Sequence, residues 1–197
     1  MAEKQSATVQ KTVHLVSLGC AKNLVDSEIM LGEVAQAGYA ITADPNDADI
    51  IIINTCGFVK DAIDESYEVI EDLIPFKTEG TCERIIVAGC LAQRFKEEIT
   101  KRFPEIDALV GTSGYKNVVQ TLTGEAVSIF PERTYLPDHT VARLPSTPPW
   151  TAYLRIAEGC DNRCAYCMIP SIRGAYRSRE IDSLVKEHGG LQVLVNN

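Results

Sequence analysis

DIIIINTCGF, residues 49–58, sets four consecutive isoleucines, Ile50 to Ile53, just ahead of a cysteine, Cys56. An unbroken β-branched run has no polar side to turn to water, so the strand Asp49 to Asn54 suits a sheet covered on both faces. The flanking text agrees. Upstream, Val13 to Leu18 (VHLVSL) reads as a strand, and a helix from Asn23 to Ala37 stops at Gly38. Downstream, a helix runs from about Phe58 to Leu73, with Val59, Ile63, Tyr67, Ile70 and Ile74 recurring along one side. Its other side, with Asp61, Asp64, Glu65, Glu68, Glu71 and Asp72, is a solvated face. Arg84 to Ala88 and Ala108 to Val110 add two strands, and Leu91 to Arg102 and Tyr115 to Leu122 two helices. Strands and helices joined by short loops predict an α/β fold, a parallel sheet of flavodoxin-like or related doubly wound type.

This pattern fills residues 13–123, after a polar tail over 1–12. From Gly124 to Trp150 it dissolves into a stretch punctuated by Pro131, Pro137, Pro145, Pro148 and Pro149, expected to be a linker over 124–150. Alternation resumes in Thr151 to Ala157 (TAYLRIA), which opens a further unit over 151–197.

Bulk properties narrow the chemistry. Nineteen basic and 27 acidic side chains give a net charge of −8. That balance weighs against RNA binding through phosphates and suits a basic protein partner. No apolar run approaches membrane length, and Met1 to Lys11 lacks the apolar stretch of a signal peptide, so a cytoplasmic location is expected. Seven cysteines in such a chain suggest metal or redox chemistry before a disulfide framework.

Six of those cysteines form two sets. Cys20, Cys56 and Cys90 each stand just past a strand and just before a helix. In a parallel sheet such positions share the carboxyl edge, where open α/β sheets bind ligands and where helix N-termini favour thiolates. One cysteine after a strand is no more than a small apolar residue; three at successive junctions point to a metal site. Cys82, in a loop before its strand, stands apart. The second set, Cys160, Cys164 and Cys167 in EGCDNRCAYC, has the spacing C-x3-C-x2-C with Tyr166 before the last cysteine. A loop this tight can hold three corners of an iron–sulfur cube and leave the fourth iron open. Zinc is the rival, but structural zinc takes four protein ligands and no fourth lies near.

C-x3-C-x-aromatic-C resembles the signature of radical S-adenosylmethionine (SAM) enzymes, and Val13 to Arg179 as a whole resembles their methylthiotransferase family. The resemblance implies two 4Fe–4S clusters. One, on Cys160, Cys164 and Cys167 with Tyr166 beside the cofactor, would bind SAM and generate the radical. The other, on Cys20, Cys56 and Cys90, would serve sulfur transfer, and a second SAM would supply the methyl group. SLGCAKNLVDSE (17–28) and NTCGFVKDAIDES (54–66) are similar to the branch that modifies an aspartate β-carbon of a small-subunit ribosomal protein. The alternatives are the tRNA-modifying branch and a metal- or partner-binding module without catalysis. The resemblance leaves sulfur source and electron donor open. It gives no catalytic role to Arg173, Arg177 and Arg179, a basic group that suits SAM, substrate or an interdomain salt-bridge network. Nor does it give one to Asp26, Ser27 and Glu28, which are expected to cap the first helix. It also implies a (β/α) barrel beginning at residue 151. Only 30 residues follow Cys167, while a complete barrel needs about 250, so these residues alone are expected not to turn over.

Overall fold

A computed structural model describes residues 10–188 of the chain. Six parallel strands form its main sheet: β1 Thr12–Ser17, β2 Ala40–Ile41, β3 Ile50–Thr55, β4 Arg84–Gly89, β5 Ala108–Val110 and β6 Ser128–Ile129. Their order in space is β2-β1-β3-β4-β5-β6. The connection from β1 runs to one side and the chain then crosses back to β3 on the other, which makes β1/β3 the switch point of the sheet.

The isoleucine run explains the layers. Alternate side chains of a strand point to opposite faces. Ile50 and Ile52 therefore join Val25, Ile29, Met30 and Val34 of α1 (Ala21–Gln36) on one face. Ile51 and Ile53 join Tyr67, Ile70 and Leu73 of α2 (Lys60–Leu73) on the other. After a short α3 (Pro75–Thr78), that second face also takes Leu91 and Ile99 of α4 (Cys90–Arg102). The first face takes Leu122 of α5 (Val119–Leu122). All four isoleucines are fully buried, each contributing about 1.5–3 kcal/mol relative to exposure. The acidic side of α2 faces water as expected. No helix among the described residues is long and apolar enough to cross a membrane.

Three readings of the sequence are corrected. The stretch expected to be a linker is held against the sheet: it supplies β6, and residues 143–146 are pinned to α1. Asp26, Ser27 and Glu28 do not cap that helix, whose N-cap is Cys20, without a side-chain cap bond. They lie more than a turn further on and point inward. Glu28, fully buried, accepts from Arg143 Nε at 2.8 Å and from Ser146 N and Oγ at 2.7 and 3.0 Å. Glu28→Ala is expected to cost about 2 kcal/mol, because Arg143 stays partly hydrated. Faster amide exchange over residues 143–150 would report it; unchanged exchange there would refute the clamp.

The third correction concerns residues 151–188. Thr151 to Ile156 form no strand, because no parallel neighbour lies beside them among the described residues. Instead β7 (Ala157–Glu158) pairs antiparallel with β8 (Arg177–Ser178), around the short helix α6 (Ile169–Arg173). A final helix, α7 (Ile181–His188), follows. A barrel is not formed by the described residues. The tail HGGLQVLVNN, residues 188–197, reads in the sequence as the beginning of something strand-like, and all of it past His188 falls outside them.

Candidate functional site

At the switch point the chain leaves β1 through Gly19 and enters α1 at Cys20, leaves β3 at Cys56, and leaves β4 through Gly89 into Cys90. Close packing brings these loops together. A Cβ on Gly19 would lie 2.7 Å from Cys56 Cβ and 3.0 Å from its Sγ, and one on Gly57 would lie 2.8 Å from the Cys90 carbonyl. Only residues without side chains let the three cysteine-bearing loops touch. Ser66 of α2 fixes the middle one, since Cys56 N–H donates to its Oγ at 3.1 Å and that hydroxyl donates back to Cys56 O. Cys20 is exposed, whereas Cys56 and Cys90 are buried, and all seven cysteines are free.

At Cys90 burial works against the thiolate that a helix N-terminus favours. Burial pushes its thiol up to about 11, and nearby Arg173 offsets only part of that. Desolvation outweighs one favourable charge here.

Beside Cys90 lies a buried ionic network that ties α1 to residues 155–179. Arg155 Nη2 donates to Asp26 Oδ1 at 2.5 Å and to Lys22 O at 2.6 Å, and Arg155 Nη1 lies 3.2 Å from both Glu158 Oε2 and the Tyr115 hydroxyl. Arg173 Nη1 donates to Glu158 Oε2 at 3.1 Å. Its Nη2 donates to Asn23 Oδ1 at 3.1 Å and to Cys90 Sγ at 3.5 Å. The same nitrogen is 2.9 Å from Asp26 Oδ2, an ion pair without hydrogen-bond alignment. Asp26 and Arg173 are each 2% exposed. Burial alone would lower the Arg173 pKa, but Asp26, Cys90 and Glu158 hold the guanidinium firmly charged. Burial likewise works against the Glu158 carboxylate, and Arg173, Arg155 and Lys22 prevail to keep its pKa below the ordinary value.

Asn23 organises the same rim. Its Nδ2 donates to Leu18 O and Thr55 O at 2.9 and 3.0 Å, while its Oδ1 faces Arg173 and Cys90. Sequence reading missed Asn23, Arg155 and Glu158 and gave Asp26 a capping role instead. One signal was available: Asn23 and Asp26 sit on the apolar stripe of α1 with Met30 and Val34, where an unpaired polar group is costly.

The second set follows β7. Cys160 N–H donates to Gly174 O at 3.1 Å and Cys167 N–H to Cys164 O at 3.0 Å, closing a compact loop. Cys160 and Cys167 are half-buried and Cys164 exposed, while Tyr166 is 86% exposed on the surface. The loop continues into α6, whose Ile172 O accepts from Thr112 Oγ1 at 2.8 Å, so it sits against the carboxyl edge. Arg179, from the basic group noted in the sequence, pairs with Glu187 at 2.6 Å, and Arg177 donates to backbone oxygens.

Among the described residues no three His, Cys, Asp or Glu side chains gather closely enough for one metal ion. The donor set, three thiols on three touching loops, instead suits a cube, which spreads its ligands over separate irons.

A sequence model of the uncharacterized protein family UPF0004 matches residues 12–111, which span β1 to β5 and all three N-terminal cysteines. The ribosomal protein uS12 methylthiotransferase RimO of Trichlorobacter lovleyi is 48% identical over 96% of this chain and 44% of its own length. RimO of Pelotomaculum thermopropionicum is 50% identical over 89% of this chain and 40% of its own. The chain thus spans less than half the length of the curated relatives it matches. A de novo designed Rossmann 2x3 fold protein aligns with 64% of the chain at 16% identity and a TM-score of 0.38, too distant to add to the topology. Matched over half of its length by the family's own model, the chain belongs to the family UPF0004 and is similar to the RimO methylthiotransferases.

Proposed function

We propose that this chain forms part of a radical SAM methylthiotransferase that acts on an aspartate β-carbon of a small-subunit ribosomal protein. The meeting of the three cysteine-bearing loops at the β1/β3 switch point, beside the C-x3-C-x2-C loop, carries this reading. Cys20, Cys56 and Cys90 would hold one 4Fe–4S cluster, and Cys160, Cys164 and Cys167 the second. When loaded, the second supplies a SAM-derived radical for hydrogen removal and the first an open iron for sulfur. The chain's own residues orient and shield these groups. Asn23 ties the loops after β1 and β3 to Cys90, and Ser66 holds the Cys56 backbone. Arg155, Arg173, Asp26 and Glu158 fix the second loop against the first and keep water from the seam. The exposed carboxylates of α2, with the net charge of −8, favour approach of a basic ribosomal protein.

Anaerobic reconstitution of the full chain, followed by iron and sulfide analysis, tests the ligand sets. About eight irons and eight sulfides per chain are expected for two cubes, with half of each lost when Cys20, Cys56 and Cys90 are replaced together by alanine. One bound zinc and no sulfide would favour a non-catalytic binding module and sink the radical reading.

A further inference from the structure

We propose that Arg173 is a positioning residue for Cys90, whose hydrogen bond to the sulfur raises the reduction potential of the cluster held by the N-terminal cysteines. This inference rests on the cluster assignment made above. Arg173 belongs to α6, six residues past Cys167, yet its guanidinium reaches into the other cysteine set. Two buried carboxylates, Asp26 and Glu158, need both Arg155 and Arg173 for charge balance, but that balance does not require a bond to sulfur. Arg155 already contacts both Asp26 and Glu158, at 2.5 and 3.2 Å. Beyond its own contacts with Asp26 and Glu158, Arg173 points Nη2 to Asn23 Oδ1 and to Cys90 Sγ, which Arg155 does not reach.

The site gives that bond weight. Arg173 is 2% and Cys90 6% exposed, so little water competes for the sulfur, and arginine keeps its charge in any protein setting. Positive charge and an N–H at a ligand sulfur stabilise the more negative, reduced state of a cluster, and both act more strongly where the local dielectric is low. Asn23 holds the guanidinium in register, because its Oδ1 accepts from the nitrogen that faces the sulfur. The bond also joins the two cysteine sets directly: the helix that ends one loop sets the sulfur environment of the other.

The test uses the full chain with Cys160, Cys164 and Cys167 changed to alanine, reconstituted so that one cluster remains, and titrated with a reductant under paramagnetic resonance. Arg173→Gln is expected to make reduction about tenfold less favourable, a fall of about 59 mV for a one-electron couple. Glu158→Gln loosens the same network but leaves the Arg173–Cys90 bond, so it should shift the equilibrium less than about threefold. Arg173→Lys keeps the charge without the fork and should fall between wild type and Arg173→Gln; it replaces Arg173→Gln in the comparison if that chain does not fold. An unchanged or higher potential without Arg173, or equal shifts in the Arg173 and Glu158 variants, would overturn the proposal. A parent chain that takes up neither iron nor sulfide would overturn the functional reading instead, and this inference with it.

Discussion

Asp26→Ala is expected to lose about 3–5 kcal/mol of stability, the cost of leaving a buried charge without its partner. Asp26 faces two arginines, Arg155 at 2.5 Å and Arg173 at 2.9 Å, and neither can leave the seam for water while residues 155–179 stay docked. A typical domain has only about 5–15 kcal/mol in total, so release of that segment should compete with global unfolding. Urea denaturation would give the overall loss. Amide exchange would show whether residues 155–179 open first. Asp26→Asn keeps an oxygen for Arg155 and should cost clearly less. A loss below about 1 kcal/mol for the alanine variant would mean that the arginines find other partners, and the seam would not depend on Asp26.

The second large effect is expected at Gly89, between β4 and Cys90. Its φ of +95° with ψ of −154° is a conformation reserved almost wholly for glycine. An added Cβ would also lie 2.3 Å from Asn54 Oδ1 and 2.6 Å from Thr55 O, one of them backbone. Gly89→Ala should therefore cost about 3–4 kcal/mol, from backbone strain and from displacement of β3. Gly38→Ala gives a positive-φ comparison without the close approach. Gly38 has a φ of +86° with nothing within 4 Å, so that variant should lose only about 1 kcal/mol. Thermal melts of the pair would decide. Equal losses would show that close approach at Gly89 contributes nothing. Because Gly89 aims Cys90, its variant should also take up less iron if Cys20, Cys56 and Cys90 hold the proposed cluster.

The main sheet was legible because burial leaves a periodic trace in each segment. Ile50 to Ile53 announced a strand covered on both faces, and the helix after β3 showed its apolar stripe. Strand ends then located Cys20, Cys56 and Cys90 at one edge, since a parallel sheet sends every strand the same way. Elements without such a trace were missed or misplaced. Two-residue β2 and β6 are too short for any period, and β6 lies in proline-rich text that reads as a linker. TAYLRIA alternates like a strand, yet its first six residues make none, because a strand also needs a neighbour.

The seam is the opposite case. Asp26 meets Arg155 across 129 positions of sequence and Arg173 meets Cys90 across 83. A carboxylate in a helix is read as solvated unless its distant partner is known. The sequence by itself determined the parallel α/β sheet, the rim that gathers three cysteines, and the spacing of the second set. Tertiary structure alone decided that α1 turns its charges inward, that Cys90 is a buried thiol facing a guanidinium, and that one cysteine loop is locked against the other. Local pattern encodes how much of a side chain is covered, whereas the pairing of buried charges depends on where the rest of the chain returns.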